Sequence, residues 1–340
     1  MTNNNGLKLG TTIYSFSNEF HARKFTVEQL IDKVGELGVG PGVEMIGFSH
    51  IREFPNVSDD FAERFKAAIQ RNNLVAICLG LNADVYRRRD RPMAEDESYE
   101  YHKPQIEAAA KLGIPVVRCQ FVAGPEVIRR LVPLAERLNV KLGMELHAPE
   151  TVNSPTVMAF REMMAKENSP HLGFIPDFSS SAKAVPNGFL NHFRQIGIPE
   201  KYIQIGVEAW SMKGPFPERI AEYQKREKAA GAPESVIRGM FFMFAMLGRM
   251  DPTAWREIIP QTVHIHGKCF EFDQDGNEVA IPYGEILPVF VEAGYNGYLS
   301  AEWEGHAFFD DDGFSKVVML HALCKRILAG KSTVLEGAPS

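Results

Sequence analysis

The sequence predicts an α/β fold, a (β/α)8 TIM barrel of eight parallel strands, and three observations carry that expectation. Short runs rich in β-branched and apolar residues alternate with amphipathic, helix-like segments along most of the chain, the pattern of parallel strands joined by crossover helices. Eight such runs are present, enough to close a barrel without leaving edge strands. The competing open, doubly wound sheet requires a glycine-rich phosphate turn after the first strand, and Tyr14-Ser15-Phe16-Ser17-Asn18 is not one. A chain of 340 residues fits one barrel of about 250 residues with additions, so a single domain over 1–340 is expected.

In chain order the strands are predicted at Leu9–Phe16, Gly42–Ile46, Leu74–Leu81, Val116–Phe121, Lys141–Glu145, Leu172–Asp177, Thr262–His266 and Gly297–Glu302. Between them, Thr26-Val27-Glu28-Gln29 opens a helix with a capping box, and Leu30, Ile31, Val34 and Leu37 follow at helical spacing. Asp59–Gln70 places Phe61, Phe65 and Ile69 on one face, and Ser98–Leu112 stops at Gly113, a C-terminal glycine. Pro125–Leu138, Pro155–Ala165 and Phe314–Leu328 complete the clear helices. One connection breaks the rhythm. Residues 178–261 separate strands six and seven, where an ordinary crossover takes roughly 20 to 30. With its charged run Glu218–Lys228 and its Met- and Phe-rich run Val236–Met250, this stretch reads as a helical insertion at the barrel mouth. The Met240–Met250 run is the expected docking face for a partner subunit or a second copy, since Met- and aromatic-rich faces suit association.

Composition narrows the function. Hydrophobic residues at 45% and charged residues at 24% describe a globular protein and exclude disordered and collagen-like chains. A net charge of −6 gives no general attraction for nucleic acid or an anionic membrane. Cys78, Cys119, Cys269 and Cys324 are widely spaced and form no CxxC pair, which points to a reduced, cytoplasmic protein and away from a thiolate zinc site. The polar start, residues 1–5, lacks the apolar core of a signal peptide.

The chemistry is expected at the carboxyl ends of the strands. Strand five ends Met144-Glu145-Leu146-His147, strand six Ile175-Pro176-Asp177, strand seven His264-Ile265-His266-Gly267-Lys268, and strand eight Ala301-Glu302-Trp303-Glu304. Side chains alternate along a strand, so Glu145 with His147, His264 with His266, and Glu302 with Glu304 each share a face. A charged residue closing an apolar strand must be paired, ligated or solvated. Three carboxylates and one imidazole converging on one mouth suit a divalent ion with oxygen ligands, Mn²⁺ first, with Mg²⁺ or Co²⁺ possible.

Glu, Asp, HxH and Glu at the ends of the last four strands resemble the xylose isomerase-like TIM barrels, the sugar phosphate isomerase/epimerase superfamily. The resemblance runs from Leu9 to about Leu328, apart from the insertion. It implies metal ligands at Glu145, Asp177, His266 and Glu302, with His264 supporting them or facing substrate. Two members fit less well. The ketose 3-epimerases carry an Arg six residues after the metal His, where this chain has Phe272; the related endonucleases need further His and Asp ligands. The Glu-x-His pair Glu145 and His147, with the long insertion, is most similar to the catalytic α-subunit of the C-glycoside deglycosidases. That similarity implies a metal-dependent lyase cleaving the carbon–carbon glycosidic bond of a 3-oxo C-glycoside, a smaller β-subunit as partner, and His147 as catalytic base. Lys268, Trp303, Glu304 and Phe16 are then candidate substrate contacts. A sugar isomerase or ketose 3-epimerase is the alternative within the superfamily, and a non-catalytic barrel scaffold the alternative outside enzymes.

Overall fold

The computed structural model describes residues 6–84, 87–308 and 311–330. Eight strands, β1 (Lys8–Thr12), β2 (Gly42–Ile46), β3 (Val75–Gly80), β4 (Val116–Cys119), β5 (Lys141–Leu146), β6 (Leu172–Pro176), β7 (Ile265–Cys269) and β8 (Tyr298–Trp303), form one parallel sheet in the order β6-β5-β4-β3-β2-β1-β8-β7. The sheet curls until its ends meet. Val263 N–H donates to the Phe174 carbonyl at 3.0 Å, and parallel bridges join Phe174 to Thr262 and Asp177 to His266. The result is a nearly closed barrel, the architecture expected from the strand count.

Most boundaries follow local chemistry. Thr26 and Gln29 make the reciprocal capping box of the helix Val27–Glu36. Gly113 ends the helix Glu95–Leu112 at φ +75°, a left-handed turn that favours glycine. That helix starts three residues before the predicted Ser98, because Glu95, Asp96 and Glu97 suit its positive N-terminus and the Glu97 carboxylate accepts from Ala94 N–H at 2.8 Å. β1 is shorter than predicted, since Ile13–Phe16 turn into a 3-10 helix. β7 begins at Ile265, after Ile259–Gln261 forms a 3-10 turn and the Thr262 hydroxyl donates to the Ile258 carbonyl.

Inside the barrel, apolar and charged layers are stacked. The lower layer holds Ile77, Cys78, Val116 and Ile175, with Val263 and Tyr298 beside them. Glycines make room for these side chains: a Cβ at Gly10 would lie 2.8 Å from Ile77 Cδ1, and one at Gly143 would lie 2.6 Å from Ile175 Cδ1. A register shift between Val43 and Glu44 lets the consecutive Ile77 and Cys78 join the same layer. The main core fills the space between the strands and the surrounding helices, where Leu30, Phe65, Leu131, Phe160 and Leu320 are buried.

The connection between β6 and β7 carries the helices Asn187–Gln195, Glu200–Ser211, Phe216–Ala229 and Glu234–Met246. Met240, Met243 and Met250 add nothing to an outward face on the Met240–Met250 run. Met240 and Met243 are fully buried and Met250 nearly so, and Gly206 on the neighbouring helix lets the Met240 methyl pack against its backbone. These side chains hold the insertion together, while Phe241 and Phe242 on the same helix are 40% and 41% exposed. The insertion is tied to the barrel by Phe189, which packs on Phe270 and Phe308. Among the described residues, no helix is long and apolar enough to cross a membrane.

Candidate metal centre

Above the apolar layer the inward positions turn polar. Glu145 and Asp177 cap β5 and β6, His266 and Lys268 lie on β7, and Glu302 lies on β8. Strand alternation aims each of them inward, and the barrel brings together four ligands predicted from separate strands. One donor atom from each of Glu145, Asp177, His266 and Glu302 lies within 4.8 Å of the others. His266 Nδ1 is 2.8 Å from Glu145 Oε1, 3.3 Å from Glu302 Oε2 and 3.9 Å from Asp177 Oδ2.

The cluster fits a divalent cation. Asp177 Oδ2 and Glu302 Oε2 are buried and make no hydrogen bond, and the ion-pair partners beside them, Lys268 and His266, are shared between the two. One imidazole and three carboxylates are a hard, oxygen-rich donor set. The electrostatics show the same crowding. Burial, with Asp177 and Glu304 adding to it, pushes the Glu302 carboxyl up to about 7 despite Lys268 and His266. Burial also opposes ionisation of Glu145, but the charges of Arg118 and His266 hold it well below the usual carboxylate range. For His266, burial favours the neutral ring and is outweighed by Glu44 and Glu302, which raise it well above its ordinary value.

Lys268 is 2% exposed. Its ammonium lies 3.3 Å from Asp177 Oδ2 and 3.1 Å from Glu302 Oε2 and pairs with Glu304. Tyr14 donates to the other Glu304 oxygen at 3.3 Å, which makes a Tyr14–Glu304–Lys268 chain along one wall. His147 approaches the same Asp177 oxygen as Lys268. Its Nδ1–H donates to the Ala148 carbonyl at 2.7 Å, and Nε2 faces Asp177 Oδ2 at 4.0 Å. The side chain is 26% exposed, so it can meet a ligand entering the mouth.

Other predicted contacts lie elsewhere. Phe16 is fully buried and stacks on Phe314; Trp303 is fully buried and its indole N–H donates to the Phe270 carbonyl. Trp303 points outward from β8 while Glu302 before it points in, and Phe16 ends the 3-10 helix after β1 with its ring turned into the core; neither offers a face to substrate. His264 is 1% exposed and sits below the mouth, with Nε2 3.0 Å from both Glu44 Oε2 and Ser300 Oγ. It supports the cluster and does not face substrate.

Three nearby residues were not picked out from the sequence: Tyr14, Glu44 and Arg118. Glu44 is fully buried between His264 and His266. Arg118, 7% exposed, places Nε 3.7 Å from Glu145 Oε2. Both carried a signal, since an ionised side chain in the middle of a buried strand demands a partner. In the loop after β3, Arg88 and Arg91 pair with Glu97, and Arg87 lies over Tyr101.

Comparison with known proteins places the fold in a family. Residues 31–318 match the xylose isomerase-like TIM barrel family. The C-glycoside deglycosidase alpha subunit of Arthrobacter globiformis is 38% identical over 95% of this chain and 93% of its own. The 3'-dehydrocarminate deglycosidase alpha subunit of a Microbacterium species is 37% identical over 94% of this chain and 95% of its own. Among solved structures, the IOLI protein with a bound zinc atom aligns with 96% of this chain and all of its own at a TM-score of 0.58 and 12% identity, which shows a shared fold.

Proposed function

The chain belongs to the xylose isomerase-like TIM barrel family and, within it, to the C-glycoside deglycosidase alpha subunits, and from that premise we propose that it is the catalytic subunit of a metal-dependent lyase acting on a 3-oxo C-glycoside. The observation that carries the reading is His147, an imidazole with a free Nε2 aimed at a four-ligand metal cluster. Glu145, Asp177, His266 and Glu302 would hold one divalent cation, Mn²⁺ by preference. When bound, such an ion acts as a Lewis acid and stabilises negative charge developing on a carbonyl oxygen.

The chain's own groups do the rest. The Nδ1–H bond to Ala148 fixes the His147 tautomer and leaves Nε2 as the acceptor. From there Nε2 removes the proton at C2, next to the sugar's 3-keto group. The electron pair left at C2 forms the C1–C2 double bond as the bond from C1 to the aglycone carbon breaks. The departing carbon takes a proton, and His147, now protonated, is its donor. Lys268, held between Asp177, Glu302 and Glu304, orients a sugar oxygen, and Tyr14 fixes the far side of Glu304.

A smaller β-subunit completes the enzyme, a reading supported by the alpha-subunit names of both relatives. The four unpaired, buried cysteines support a reducing, cytoplasmic setting.

Incubating the protein, Mn²⁺ and its β-subunit with a 3-oxo C-glucoside, and separately with free ketoses, tests the proposal. Release of free aglycone is expected. Interconversion of ketoses without aglycone release would replace the lyase with an epimerase or isomerase, and failure to bind any divalent ion would leave a scaffold.

A further inference from the structure

Glu44 has no part in the reaction above, yet it is the acid set deepest beneath the cluster. Its side chain is fully buried. One oxygen lies 2.9 Å from His266 Nε2 and the other 3.0 Å from His264 Nε2. Resting on the reading that the cluster holds a divalent ion, we propose that Glu44 is a positioning residue of that centre: it selects Nδ1 of His266 as the ligating nitrogen and locks the ring in place through His264.

The geometry divides the two nitrogens of His266 cleanly. Nδ1 is the atom that sits among Glu145, Glu302 and Asp177; Nε2 points away, toward β2. A metal-bound imidazole is neutral, with one N–H and one lone pair, and a carboxylate only accepts. Glu44 therefore requires the hydrogen on Nε2, and the lone pair is left on Nδ1, facing the carboxylates. Metal-ligating histidines are commonly oriented in this way by a carboxylate on the distal nitrogen.

Residue type matters as much as position. Both Glu44 oxygens receive a ring nitrogen, so the side chain must accept twice. A glutamine would accept one N–H and confront the other nitrogen with its own NH₂ donor, forcing one ring into the opposite tautomer or breaking a contact. The two histidines of the HxH pair thus have different tasks: His266 meets the ion, and His264, with Ser300 Oγ 3.0 Å from its Nε2, pins the carboxylate that aims His266. Glu44 also spans the barrel from β2 to β7, strands that are not neighbours in the sheet.

Long-range ¹⁵N–¹H spectra of histidine side chains in the Zn²⁺-loaded wild-type protein give a readout independent of activity. The expected result is a protonated Nε2 and a metal-shifted Nδ1 on His266. Titration with Mn²⁺ should show one ion per chain, with affinity lowered roughly 10- to 100-fold in Glu44→Gln. His264→Gln, which keeps the Glu44–His266 bond, should show a smaller loss. Ligation through Nε2 overturns the inference, as does wild-type affinity in Glu44→Gln. Two ions per chain with one lost in Glu44→Gln also overturns it, because Glu44, Cys78 and His264, which lie close together, would then be ligands themselves. If Glu44→Gln does not fold, the wild-type spectrum decides. A wild-type protein that takes up no divalent ion fails the metal reading and this inference together; every other negative result fails this inference alone.

Discussion

The barrel mouth and the helical insertion both bury charge, and they do so in opposite ways. In the mouth, Glu44, Arg118, Glu145, Asp177, His266, Lys268 and Glu302 are close enough that each ion faces an opposite one. In the insertion, Glu227 is fully buried with neither carboxylate oxygen hydrogen-bonded. Arg219, 3% exposed, donates from Nη1 to the Trp210 carbonyl while its Nε has no partner. Burial pushes Glu227 up to about 7, against the nearby Lys201. It draws Arg219 down to about 10, and Arg249 adds to that. Both regions contain perturbed groups, so perturbation alone does not mark a site. Convergence of several groups with unsatisfied atoms on one point does.

The largest expected effect tests that convergence. Asp177→Ala should weaken Mn²⁺ binding beyond the roughly 10- to 100-fold loss typical of a supporting residue and abolish turnover. The metal-free protein should melt at or above the wild-type temperature, since one of three crowded carboxylates is gone. Calorimetric titration and a thermal melt check both parts, and unchanged Mn²⁺ affinity would end the distinction between the two regions. An intermediate effect separates base from ligands: His147→Ala should lower kcat by roughly 10²- to 10⁴-fold, with Mn²⁺ affinity close to wild type, because the ring ligates nothing.

The smallest effect belongs to the insertion. The folded-state carboxyl of Glu227 lies near 7, above its ordinary 4.5. Its contribution to stability is therefore full below about pH 4.5 and is lost as pH rises through 7. Glu227→Gln removes that loss. The variant should melt roughly 1 to 3 °C above wild type at pH 8 and level with it at pH 4.5. A gain of equal size at both pH values would show that Glu227 is solvated and carries no stranded charge.

Much of the site could be read along the chain because it is built from strand ends. Glu145, Asp177, His266 and Glu302 each follow an apolar run, and a parallel barrel delivers all such ends to one mouth. Glu44 and Arg118 escaped because they lie within earlier strands and their partners come from distant segments: His264 and His266 for Glu44, Glu145 for Arg118. Phe16 and Trp303 were mistaken for contacts because position near a strand end does not say which way a side chain points. The helix Tyr283–Glu292, with Pro288 inside it, and the first two insertion helices, which directly follow Pro186 and Pro199, escaped because proline reads as a break in a helical pattern.

The sequence by itself determined the strand period, the caps that start and stop the helices, and the residue types at the strand ends, because these depend on neighbours a few positions apart. Only the tertiary structure decided which nitrogen of His266 faces Glu145 and Glu302, that Glu44 meets the opposite one, and that Met240, Met243 and Met250 turn inward. Each of those outcomes depends on the register at which the barrel closes and on what packs across it, and both are set by contacts between residues far apart in the chain.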